Sequence, residues 1–370
     1  MRLLIVYGTR PEFIKLAPVI RKARDEGKHD VIACSTGQHR EMLRQLYDFF
    51  KLTPDLDLDI MKPGQSPNEV VARILVELDE VIRSHEPDYV LIQGDTSTVF
   101  ASATAAFHNR VPVGHVEAGL RTYDISQPWP EEAYRCMVSR VANMNFCPTE
   151  LSAANLRNEK VSEDKIVITG NTVIDSLLWT VDRIANDPPQ EVSQQRKWAQ
   201  ETFGDSPVVL ITGHRRESFG RGFEEICRAI AALASEYPGH RFVYPVHLNP
   251  NVQKPVKHVL GGLDNVHLIA PQPYPAFCWW MDRSQFVLTD SGGVQEEAPS
   301  LGKPVLVMRN TSERPEGIDA GCSRLVGNTF DGITRNVREL IEDNAAYSAM
   351  ACPANPYGDG HASERILERV

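Results

Sequence analysis

A chain of 370 residues exceeds what one ordinary hydrophobic core organises and points to two domains. Its net charge of −10 excludes a general nucleic-acid or anionic-membrane binder, while leaving room for a local basic pocket. Seven cysteines, odd in number and without a C-x-x-C pair, exclude a disulfide framework or a structural zinc site and fit a reducing cytoplasm.

The first strand-like run, residues 3–7, has no signal-peptide architecture before it, and no apolar stretch approaches the ~20 residues of a membrane span. Further short apolar runs fall at 31–35, 89–93, 111–116, 144–147, 166–169, 208–212, 241–245, 266–269, 286–289 and 304–308. Helix-period segments lie between most of them, for example at 11–26, 67–84 and 223–236. This alternation predicts an α/β protein with doubly wound parallel sheets and ligands at the C-terminal strand ends. The stretch 186–195, with Asp187-Pro188-Pro189, reads as a surface loop or linker, and a fresh strand opens soon after it. We therefore expect one Rossmann-like domain over 1–169, a second from about 170, and a cleft between them. The segment from Asn355 onward reads as a turn leading into a helix.

Candidate chemistry follows the strands. Gly8-Thr9-Arg10-Pro11-Glu12 offers a glycine turn, a guanidinium and a proline suited to a first helical position, with Lys15 one turn further on. It is neither G-x-G-x-x-G nor Walker A, so it makes no case for NAD or ATP. Asp95 and Glu117 each follow a strand, and Glu131-Glu132 precede a helix that carries Arg135. Carboxylates gathered at one sheet edge raise at least one pKa by mutual repulsion, as general acid–base chemistry requires. The structural alternatives are helix capping for Asp95 and Glu131, and a buried ion pair with Arg121 for Glu117.

In the second half, His214 with Arg215 and Arg216 follows the strand 208–212 and suits a diphosphate or a leaving oxygen; a capping or core histidine is the alternative. Asp290-Ser291-Gly292-Gly293 ends an apolar run just before a helix, a turn whose N–H groups suit phosphate, or else a plain glycine-rich turn. Glu296-Glu297 would fall in the first turns of that helix, where carboxylates are favoured. No H-E-x-x-H or G-x-S-x-G is present, so neither a metal site nor a serine nucleophile is expected. Trp279-Trp280 reads as packing.

Together the segments GTRPEFIKLAP (8–18), TGQHREML (36–43), GDTST (94–98), HVEAGLRT (115–122), PWPEEAYR (128–135), GNTVID (170–175), TGHRRESFGRGFEEI (212–226), YPVHLNPNV (244–252), TDSGGVQEEAPSLGKPVLVMR (289–309), SERPE (312–316) and NPYGDGHASERI (355–366) run nearly end to end. In this order they resemble the non-hydrolysing UDP-N-acetylglucosamine 2-epimerases, most closely the Gram-negative enzymes that feed surface-polysaccharide synthesis. The resemblance implies two Rossmann-like domains with a central cleft, the GT-B or glycogen phosphorylase-like fold, and a homodimer. It also implies a C-terminal helix over about 355–370 that returns to the first domain, leaving 170–354 as the UDP-binding domain. The implied reaction is reversible inversion at C2, giving UDP-N-acetylmannosamine through elimination of UDP to 2-acetamidoglucal and re-addition, without a cofactor. By correspondence Asp95, Glu117 and Glu131 carry the chemistry and His214 assists UDP departure. Arg10, Lys15, Gln272, Phe277, Ser291, Gly292, Gly293, Glu297 and Arg314 match nucleotide-sugar contacts, and Arg135 orients the acids or a phosphate.

Three departures stand out. Tyr134 occupies a position usually held by Asn, and Ser312 replaces a common Thr. In a second, activating substrate site known in relatives, Gln38 matches, but Glu41 and Gly64 replace Gln and Arg, so strong activation by that route is not expected. The competing readings are a 2-epimerase acting on a modified UDP-sugar, a hydrolytic epimerase, a GT-B glycosyltransferase, and a non-catalytic nucleotide-sugar binder.

Overall fold

The apolar runs form two parallel sheets in the computed structural model, which describes residues 1–215, 218–351 and 355–370. Arg216, Glu217 and Cys352, on which parts of the sequence reading fall, lie outside the described residues. The first sheet comprises β1 (Arg2–Tyr7), β2 (Asp30–Ser35), β3 (Leu56–Asp57), β4 (Tyr89–Gln93), β5 (Val113–Val116), β6 (Met144–Cys147) and β7 (Ile166–Ile168), in the order β3-β2-β1-β4-β5-β6-β7. The second comprises β8 (Val208–Thr212), β9 (Arg241–Pro245), β10 (Val266–Ile269), β11 (Phe286–Thr289), β12 (Val305–Val307) and β13 (Ser323–Leu325), in the order β10-β9-β8-β11-β12-β13. Both are Rossmann-like, and the order reverses at β1 beside β4 and at β8 beside β11, the switch points where such sheets receive ligands. The central strands read as unbroken apolar runs because helices cover both faces: Leu3, Leu4, Ile5 and Tyr7 are fully buried, as are Val209, Leu210 and Ile211.

The chain divides into two compact units, Met1–Ser176 with Tyr357–Val370, and Leu177–Pro356. The C-terminal helix Ala362–Leu367 belongs to the first unit. Its leading N–H groups, from Ala362 and Ser363, donate to the buried carboxylate of Asp175 at 3.3 and 2.7 Å. Arg365 fastens it further by donating to the carbonyl of Thr169.

Four elements depart from the sequence expectation. The edge strands β3 and β13 are two and three residues long and, as Leu-Asp and Ser-Arg-Leu, carry no apolar run to mark them. The expected loop at 186–195 is overtaken by a helix, Gln190–Phe203, because Pro189 caps its start and Val192, Ala199 and Phe203 turn one apolar face inward. The helix after the Asp290 turn is only six residues, Gly292–Glu297, so Glu296 and Glu297 fall within its first two turns, as expected, but those turns are the whole helix and the pair closes it. Among the described residues, no helix is long and apolar enough to cross a membrane.

Candidate active site

In the first unit Asp95 and Glu117 stand just beyond strand ends and Glu131 at a helix start, each in a distinct setting. Beyond β4, Gly94 takes φ 87° and leads to Asp95, whose Oδ2 accepts from Arg135 Nε at 2.8 Å. Arg135 reaches back to Glu132 Oε2 at 3.0 Å. Burial opposes the charge on Arg135, but Asp95 and Glu132 outweigh it and raise the guanidinium pKa. Glu132 is itself buried and accepts the N–H groups of Thr122 and Tyr123 at 3.0 Å each, so it anchors the loop after β5.

Beyond β5, Glu117 is buried in the left-handed region at φ 63°, a conformation that costs a non-glycine residue free energy and is retained where the surroundings enforce it. Lys15, one turn into the helix Arg10–Glu26, donates to both its oxygens at 2.5 and 2.7 Å. Asn171 donates at 3.1 Å, and Gln93 donates as well. Arg121 is not its partner: that guanidinium pairs with Glu159 at 2.6 Å. Asp95 does not cap the next helix either, because Thr96 is the N-cap and accepts from Val99 N–H. Glu131 is the first residue of Glu131–Val141, whose N-cap is Pro130, and its Oε2 is buried without a hydrogen-bond partner. Tyr134 lies flat on Phe100, ring centroids 4.9 Å apart and planes 6° apart.

The Asp95 loop is braced from two sides. His115, fully buried on β5, contacts the Gly94 carbonyl through Nε2 at 2.7 Å. A carbonyl only accepts, so Nε2 carries the proton; burial pushes the imidazole pKa down to about 4 and keeps it neutral. On the other side the Glu12 carboxylate accepts the N–H groups of Gly8 and Thr9 at 2.6 and 2.9 Å and the hydroxyl of Thr96. Arg10 opens the same helix, half-buried. Gly8 admits no side chain: a Cβ there would stand 2.2 and 2.3 Å from the hydroxyl oxygens of Thr36 and Thr98.

In the second unit the loops after β8 and β11 are bound to each other. Asp290, fully buried, accepts the N–H groups of His214 and Arg215 on Oδ2 at 2.7 Å each. The Tyr244 hydroxyl donates to the Gly213 carbonyl at 2.8 Å. His214 stacks on His247 at 5.3 Å; burial lowers its pKa, Asp290 opposes that, and His247 and Arg215 add to it. Ser291 is the N-cap of Gly292–Glu297, and its N–H donates to Thr289 Oγ1 at 2.9 Å. Gly293 is exposed and Gly292 half-buried, while Glu297 is buried. Arg314 pairs with Glu296, and its N–H donates to Ser312 Oγ, which in turn donates to Gln295 Oε1 at 2.7 Å. Gln272 donates to the Ala270 carbonyl, and half-buried Phe277 lies in the helix Tyr274–Arg283.

A family model described as UDP-N-acetylglucosamine 2-epimerase matches residues 21–370. The chain is 50% identical to the UDP-N-acetylglucosamine 2-epimerase of Yersinia pestis over 372 aligned positions, covering 100% of this chain and 98% of that one. The chain belongs to the UDP-N-acetylglucosamine 2-epimerase family. The Escherichia coli K12 member is likewise 50% identical with the same coverage. Among solved structures, the UDP-GlcNAc 2-epimerase of Neisseria meningitidis bound to UDP-GlcNAc is similar at TM-score 0.89 and 47% identity, over 100% of this chain and 99% of that one. The Methanocaldococcus jannaschii epimerase, in complex with UDP-GlcNAc and UDP, is similar at TM-score 0.80 and 30% identity, with the same coverage.

Four residues of this epimerase-family chain have supporting roles that the sequence reading did not assign: His115, not singled out as a candidate, and Glu12, Glu132 and Asp290, named only within their motifs. One was readable. Thr9 and Glu12 stand three apart ahead of an apolar helical run, the spacing of a capping box, and both halves of the box form. The other three act through contacts between neighbouring strand ends, which no local pattern announces.

Proposed function

We propose that the protein interconverts UDP-N-acetylglucosamine and UDP-N-acetylmannosamine by elimination and re-addition of UDP, as a cytoplasmic homodimer that supplies surface-polysaccharide synthesis. The C2 proton is not beside a carbonyl, so its removal must be coupled to departure of UDP from C1. A carboxylate takes the proton, the C1–O electron pair leaves with UDP, and 2-acetamidoglucal remains. Re-addition reverses these steps with the proton delivered to the opposite face of C2, which calls for more than one acid–base group. Family membership supports this reading, and one observation in the site carries it. Three carboxylates hold three different environments: Asp95 on Arg135, Glu117 on Lys15, and Glu131 with an oxygen left unpaired.

In this reading Asp95, Glu117 and Glu131 handle protons and the positive charge at C1, and Arg135 orients them. His214, Arg10, Lys15, Gln272, Phe277, Ser291, Gly292, Gly293, Glu297 and Arg314 hold the nucleotide sugar and ease UDP away. A 2-epimerase for a modified sugar draws no support from Tyr134, whose ring is used in packing against Phe100. A glycosyltransferase of this fold would not require the three acids. Proton NMR of the protein with UDP-N-acetylglucosamine and no acceptor tests the proposal. A mixture of the two UDP-linked epimers is expected; free N-acetylmannosamine or unchanged substrate overturns it. Light scattering tests the oligomer, with twice the 41.4 kDa chain mass expected.

A further inference from the structure

Asp290 is spent twice. Its Oδ2 takes two backbone N–H groups, from His214 and Arg215, which ties the loop after β8 to the end of β11. Its Oδ1 is buried without a hydrogen-bond partner and stands 3.5 Å from Nδ1 of His214, within ion-pair range but short of a hydrogen bond. A buried carboxylate oxygen left unpaired is costly, and such an arrangement is kept where a partner arrives during function. The His214 side chain is 43% exposed while Asp290 is fully buried, so one end of the imidazole is open to a ligand and the other to Asp290.

We propose that Asp290 is a positioning residue for His214: it holds the loop through Oδ2, and when a nucleoside diphosphate binds it receives Nδ1–H of the imidazolium on Oδ1. This rests on His214 serving the diphosphate as read above. Among the described residues, the charged groups facing His214 are Asp290, His247 and Arg215; the last two disfavour its protonated form, and burial does so more strongly. The incoming diphosphate reverses that balance by supplying negative charge on the open side. With Nδ1–H donated to Asp290, Nε2–H is the proton left for the departing UDP oxygen. The backbone bonds to Oδ2 keep the ring and carboxylate in register before any ligand arrives, so little reorganisation accompanies binding.

The test is histidine NMR on the full-length protein carrying ¹⁵N-histidine, with and without UDP. In the wild type, UDP is expected to raise the His214 pKa and produce a protonated Nδ1 in a hydrogen bond; a neutral His214 in the UDP complex at pH 7 overturns the proposal. In Asp290→Asn, His214 should titrate at lower pH than in the wild type even without UDP; an unchanged titration also overturns it. Tyr244→Phe loosens the same loop without touching charge, and should leave the His214 titration in place. If it reproduces the Asp290→Asn shift, the role is merely structural. In turnover, Asp290→Asn should lower kcat at least about tenfold, and it should cost no further activity in a His214→Gln background. Additive losses contradict action through His214. The ligand-free titration separates this from a failure of the epimerase reading, because a wild type that binds no UDP would leave the Asp290–His214 link to be judged by Asp290→Asn alone.

Discussion

Asp95 and Glu117 differ in how their charge is held, and that difference predicts how their variants fail. Asp95→Asn abandons an ion pair with Arg135, and Glu117→Gln abandons one with Lys15. Each variant should lose turnover by about 10²- to 10⁴-fold, while calorimetry should show UDP binding retained; near-normal rates would remove that residue from the chemistry. His115 predicts a pH effect. Its folded pKa of about 4 lies below the ordinary 6.5, so the unfolded chain binds the extra proton first. Stability contributed by the neutral ring is therefore present above 6.5 and lost as pH falls toward 4. Urea unfolding at pH 7 and pH 5 should show a larger loss in the wild type than in His115→Gln; equal losses would contradict a buried neutral ring. At this scale the candidates were legible and their supports were not. Asp95 and Glu117 show themselves because each follows closely on a strand-like, mostly apolar run. Their partners Arg135 and Lys15 lie 40 and 102 residues away, and Asp290 lies 76 from His214.

At the scale of elements, the unit-one loops are joined by small groups with no room to spare. Gly8→Ala should destabilise the protein by about 1–3 kcal/mol through the clash with Thr36 and Thr98, read as a lowered urea midpoint; an unchanged midpoint would mean the two hydroxyls can swing aside. Asp175→Ala removes the acceptor for the first N–H groups of Ala362–Leu367, so amide exchange in that helix should accelerate before the rest of the unit is affected. Protection equal to wild type would show that packing alone holds the helix. Eleven strands could be placed from apolar runs, while β3 (Leu-Asp) and β13 (Ser-Arg-Leu) could not, since neither is an apolar run, unlike the equally short β7 and β12. The helix Gln190–Phe203 was hidden by Asp187-Pro188-Pro189, which punctuates the chain as a loop does and in fact precedes a helix capped by Pro189.

For the whole molecule, strand and helix alternation carried the fold class, but not the order of strands within each sheet, which depends on crossovers that no local window contains. Both sheets reverse direction of growth at their first strand, and the residues in question gather at those reversals: Asp95 with Arg10 and Lys15 around β1 and β4, His214 with Asp290 and Ser291 around β8 and β11. On the proposed reading, the loops after β8 and β11 take the diphosphate of UDP. UDP at 100 times its Kd should then stabilise the protein by about 2.7 kcal/mol and slow amide exchange chiefly at 213–215 and 289–293. Proton exchange at C2 coupled to loss of UDP meets its most direct test in D2O. Incubated there with UDP-N-acetylglucosamine, the protein should give both UDP-linked epimers with deuterium at C2; epimers that retain the original proton at C2 would contradict it.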